Sequence, residues 1–151
     1  MRWLLLLFSA SAFANVGLES QAHEIALQNN IQPALLKAIC RVESHWRPSA
    51  IGDDGASIGL CQIQINTALG WYPGFMKGAS NSERREGIRR WLLNPQNNMN
   101  LSAKLLRYYL TLFNENEVLA VMAYNGGPNH PLIRYYKKAR RDKDDYEGGR
   151  N

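Results

Sequence analysis

One acid in this chain stands where a carboxyl group could do chemistry. In residues 38–65, AICRVESHWRPSAIGDDGASIGLCQIQI, Glu43 ends an apolar helical pattern that contains Leu35, Leu36, Ile39, Cys40 and Val42, and Pro48 closes the run. A carboxylate there feels the negative end of the helix dipole and partial desolvation, and both disfavour ionisation. Its pKa is expected above the usual value of roughly 4.3, the condition a general acid needs near neutral pH. Arg41 and Arg47 would pull the other way if they reached it. The acids close downstream are Asp53 and Asp54, inside the turn Gly52-Asp53-Asp54-Gly55. Ordinary glycosidases use two carboxylates, so either aspartate could complete a hydrolytic pair with Glu43. His23, His45 and His130 are scattered without ligand spacing, so no metal or other cofactor is expected. No Ser or Cys nucleophile motif with a matching base stands out.

Several elements must position Glu43. Leu18, Ala22, Ile25 and Ala26 share one helical face across residues 18–30, with Glu19, His23 and Gln28 outside it. Pro33 suits the first turn of a second helix, 33–46, which carries Glu43. In 58–65, Cys61, Ile63 and Ile65 alternate with Leu60, Gln62 and Gln64, which predicts one strand with the first set in the core. Trp46 is expected as a core aromatic. Residues 67–82, rich in Gly and aromatics, read as irregular. A helix is expected over 83–93, with Ile88 and Leu92 inward and Arg84, Arg85, Arg89 and Arg90 on a solvated face, until Asn94-Pro95 breaks it. The longest helix is expected over 97–113, with Leu101, Leu105, Tyr108 and Leu112 in register. Val118, Val121 and Met122 mark a further helix over 117–124, ended by Asn125-Gly126-Gly127-Pro128, and a last one is expected over 131–140.

The 151 residues, 45% of them hydrophobic, allow one globular domain. The formal charge of +5 suits an anionic polymer, yet the basic residues are dispersed and no nucleic-acid motif is present, so nucleic acid is not the expected partner. Met1-Arg2, the apolar run from Trp3 and the Ala12-Phe13-Ala14 triplet read as a signal peptide over 1–14, too short to be a stable membrane span. Export would place Cys40 and Cys61 in an oxidising compartment, where a disulfide between them is expected over two buried thiols. The domain is expected over 15–141, followed by a charged flexible tail over 142–151.

Glu43-Ser44, Gly59-Leu60-Cys61-Gln62-Ile63 and Ala123-Tyr124-Asn125-Gly126-Gly127 resemble, in order and rough spacing, the three motifs of the lytic transglycosylases. The resemblance is to their soluble, lysozyme-like (SLT) catalytic domain and covers roughly residues 18–136. It implies a mainly α, lysozyme-like (α+β) single domain with a small β element. It also implies a periplasmic enzyme acting on peptidoglycan, with Glu43 as the single catalytic acid and base. The same resemblance makes Ser44, Gln62, Gln64, Tyr124 and Asn125 substrate-site residues, with both glutamines directed into the cleft. Cys61 stands where the family usually has Met, and Gln64 where some members have another. The bond expected to break joins N-acetylmuramic acid to N-acetylglucosamine, closing a 1,6-anhydro ring without water. Short stand-alone relatives open the wall locally for a secretion, conjugation or pilus apparatus, which makes such an apparatus an expected partner. The rival expectations are a hydrolytic muramidase using Asp53 or Asp54, and a non-catalytic glycan-binding scaffold.

Overall fold

Helices dominate because long stretches of the chain repeat apolar residues at helical spacing, and the few strands are short. The computed structural model describes residues 10–127, 130, 131 and 134. The elements run α1 (Ala10–Gln28), α2 (Pro33–Ser44), β1 (Ile51–Gly52), β2 (Ser57–Ile58), β3 (Ile63–Gln64), α3 (Ile65–Trp71), α4 (Asn81–Leu92), α5 (Pro95–Leu112) and α6 (Glu117–Gly126). The architecture is the expected one, mainly α with a small antiparallel sheet in the order β1-β2-β3. Ile51 pairs with Ile58, and Ile58 with Ile63. The chain forms two compact units, 1–104 and 105–151, and the boundary falls within α5.

In the first unit α1 packs against α2, and Ala22, Ile25 and Ala26 are buried as their spacing predicts. Pro33 occupies the first turn of α2, where its missing N–H costs nothing, and Leu36, Ile39 and Cys40 turn inward. The helix stops two residues earlier than expected. His45 takes a left-handed conformation at the C-cap, its N–H donating to the Arg41 carbonyl at 2.8 Å, and Trp46 is also left-handed. Trp46 is buried, as a core aromatic should be.

The single strand expected over 58–65 is instead a hairpin followed by a helix. Residues 59–62 form the turn between β2 and β3, and α3 begins at Ile65. Gly59 has φ +81°, and a Cβ there would run into the Asn98 side chain and the Leu92 carbonyl, so the turn requires glycine twice over. Leu60 and Cys61, assigned to opposite faces by alternation, are both fully buried. Alternation holds only in an unbroken strand, and the turn breaks it.

Residues 67–82 are also more ordered than expected, since α3 extends to Trp71 and Ser80 caps α4. Ser80 Oγ accepts from the Glu83 N–H, and the Glu83 carboxylate accepts from both the Ser80 hydroxyl and the Ser80 N–H; these two bonds to the carboxylate, the hydroxyl first, hold the Glu83 pKa below its usual value. Ile88 and Leu92 are buried as expected. Two of the arginines placed on a solvated face have structural duties: Arg84 donates to the Phe75 and Pro73 carbonyls, and Arg85 donates to Asn66 Oδ1 at 2.6 Å. Leu101 and Leu105 are buried, whereas Tyr108, expected in the same register, is exposed.

In the second unit Leu106, Leu110, Phe113, Ala120 and Ala123 are buried. Val118 is exposed, and the small Ala120 and Ala123 supply the inner face of α6. That helix runs through Gly126, two residues past its expected end. Pro131 and Arg134 are helical. The rest of the expected last helix, the 142–151 tail and residues 1–9 of the expected leader lie outside the described residues.

Candidate active site

The last turn of α2 leaves Glu43 half-buried, flanked by the inward Cys40 and Ser44 and the exposed Val42. Burial raises its pKa, and the Asp53 carboxylate raises it further. The turn Asp53–Gly55 is a short 3-10 segment in which Asp53 and Asp54 both have positive φ. Asp53 Oδ2 accepts from the Ser57 hydroxyl, and the Asp53 carbonyl accepts from the Ala56 N–H at 3.0 Å, which pins the turn to the start of β2. Arg47 Nε donates to the Ser44 carbonyl at 2.9 Å.

Ser44 is only 1% exposed, and its hydroxyl is committed within the protein. Oγ donates to the Leu60 carbonyl at 2.6 Å and accepts from the Arg47 N–H at 3.0 Å. The residue ties the end of α2 to the hairpin turn. A disulfide joins the same two segments, linking Cys40 and Cys61 with their Cα atoms 4.1 Å apart.

The two glutamines differ. Gln64 is exposed at the N-cap of α3. Gln62, with φ +48°, folds its amide back, Nε2 donating to the Gly59 carbonyl at 2.9 Å and the Ala50 carbonyl at 3.2 Å. Both amide hydrogens are then engaged, leaving only the side-chain oxygen, which packs over Gly52. Tyr124, half-buried, and the exposed Asn125 lie on α6 in the second unit.

Sequence reading missed Asn98. It is fully buried, Oδ1 accepting from the Cys61 N–H at 2.8 Å and Nδ2 donating to the Ile58 and Leu92 carbonyls at 2.8 and 2.9 Å. One amide thus holds the hairpin turn against the end of α4. The available signal was a polar residue on the buried stripe of a long helix, three and seven residues before Leu101 and Leu105.

The sequence matches the Transglycosylase SLT domain over residues 20–147, most of its length. The chain belongs to that family. Within it, the chain is 35% identical over 91 residues to the soluble lytic murein transglycosylase of Escherichia coli, an alignment covering 60% of this chain and 13% of that protein. It is 35% identical over 99 residues to the soluble lytic murein transglycosylase of Salmonella typhimurium, covering 66% of this chain and 14% of that protein. This SLT chain therefore spans about one-seventh of those relatives' lengths. Among its described residues no helix is long and apolar enough to cross a membrane.

Proposed function

We propose that this SLT domain cleaves peptidoglycan as a lytic transglycosylase. The observation that carries the reading is the half-buried Glu43, whose raised pKa keeps a proton available for a glycosidic oxygen. Glu43 protonates the bond between N-acetylmuramic acid and N-acetylglucosamine. The resulting carboxylate then removes the proton from the muramoyl C6 hydroxyl, whose oxygen attacks C1 and closes the 1,6-anhydro ring. No water enters the product, and the substrate's acetamido group supports the developing positive charge. Gln64, Tyr124 and Asn125 contact the sugars, Gln62 contributes an acceptor oxygen, and Ser44 holds Glu43 in place.

The disulfide supports export, since such bonds persist in oxidising compartments. Cleavage after Ala14 would release a periplasmic domain over 15–141 with a charged tail. Its role is to open the wall locally for a secretion, conjugation or pilus apparatus.

Asp53 favours a second reading, because its charge reaches Glu43 and a paired carboxylate could activate water. Mass spectrometry of muropeptides released from purified peptidoglycan separates the two. Anhydro ends, lost in Glu43→Gln, support the transglycosylase. Reducing ends, lost in Asp53→Asn, establish the muramidase, and the absence of products from the wild type would overturn both in favour of a scaffold.

A further inference from the structure

A pocket of about 300 Å³ lies away from Glu43, lined by Glu19 of α1, by Ala34, Lys37, Ala38 and Arg41 of α2, and by Trp46. At about 100° per residue, the four α2 residues form one stripe and Glu43 falls on the opposite side of the helix. The pocket therefore cannot be part of the acid's own cleft. Its chemistry is specific. Lys37 and Arg41 stand one turn apart, and neither has an ion-pair partner among the described residues. The two alanines leave the space between the cations open, and Glu19 faces it from the other helix. Two cations against one carboxylate suit a ligand whose carboxylates outnumber its amines, and the volume sits at the small end of ordinary ligand sites.

We propose that this pocket binds the peptide arm of the cell-wall polymer, Lys37 and Arg41 receiving its carboxylates and Glu19 its side-chain amine. The identity of the ligand rests on the wall-cleaving function proposed above. A long acidic segment of another protein would match the two cations but leave Glu19 facing like charge, which is why the short zwitterionic peptide is the better fit. The site would hold a peptide-bearing strand on the rear of α2 while Glu43 works on glycan at the front.

The test titrates N-acetyl-alanyl-γ-glutamyl-diaminopimelate into the full-length protein carrying Glu43→Gln, followed by amide NMR. Saturable shifts at Lys37, Ala38 and Arg41 are expected. The double substitution Lys37→Glu with Arg41→Glu, both on the helix surface, should weaken binding about tenfold or more. The same pair placed in the active protein should raise KM on peptide-bearing glycan and leave cleavage of peptide-free glycan unchanged. No saturable binding, or equal binding by the doubly substituted protein, overturns the proposal whatever the cleavage assay shows. Tighter binding of an all-acidic peptide lacking the amine overturns it in favour of a protein partner. Peptide binding lost on charge reversal, in a protein that cleaves no glycan, would support the pocket while removing the catalytic reading.

Discussion

The hydroxyl of Ser44 and the carbonyl of Leu60 meet at 2.6 Å, joining the residue after Glu43 to the turn of the hairpin. With the Cys40–Cys61 disulfide beside it, this bond holds the acid's helix and the hairpin in register. Ser44→Ala would leave the Leu60 carbonyl and the Arg47 N–H without this buried partner. The expected loss is about 1–3 kcal/mol, measured by urea denaturation, with a fall in turnover as Glu43 gains freedom.

The disulfide closes a loop with a sequence separation of 21. Replacing both cysteines by alanine should lower stability by about 2–4 kcal/mol, because the unfolded chain regains the entropy of that loop. Denaturation of the double variant in parallel with the oxidised protein measures the difference, and an unchanged midpoint would deny the bridge its stabilising role.

Asn98 satisfies three backbone groups from one buried side chain. Asn98→Ala should cost about 2–4 kcal/mol, since all three lose their partner at once. Asn98→Asp preserves the shape but turns an acceptor toward the Ile58 and Leu92 carbonyls, so it should not rescue. Recovery of wild-type stability by the aspartate would show that volume rather than hydrogen bonding matters there.

Asp53 raises the pKa of Glu43, second to burial. If protonated Glu43 is the general acid, activity is lost as pH rises through its pKa, and Asp53→Asn should move that alkaline limb to lower pH. Glu43→Gln should reduce turnover at least about a hundredfold at every pH. An alkaline limb that stays in place in Asp53→Asn would mean that another group sets it.

The same shift links Glu43 to folding. Its folded pKa lies above the unfolded value, so the folded state binds the proton more tightly. The stabilising contribution is fully present below the unfolded pKa and is lost as pH rises through the folded pKa. Glu43→Gln should therefore raise the melting temperature relative to wild type above that window and leave it nearly equal in acid. Thermal melts across pH give the comparison, and a variant less stable at neutral pH would contradict it.

The sequence by itself determined the helical framework and singled out Glu43 as the candidate acid. Apolar spacing of three and four residues is a local property, so Ala22, Ile25, Leu36, Ile88 and Leu101 could be placed inward without knowing their neighbours. Glu43 was legible as an acid at the end of such a pattern, and the resemblance of the three motifs singled it out. The Ser80-x-x-Glu83 capping signal was equally local, although the expected start of α4 overlooked it. Tertiary structure decided the rest. Alternation from Leu60 to Ile65 cannot reveal that the chain reverses after Gly59, because the partner that holds the turn, Asn98, is 37 residues from Cys61 and 40 from Ile58. Ser44 reads as a polar helix-end residue until Leu60 closes over it, and Gln62 reads as a free amide until two carbonyls take its hydrogens. The effect of Asp53 on the Glu43 pKa likewise needed the three-dimensional turn, since charges act through distance in space, and adjacent positions in sequence do not determine it.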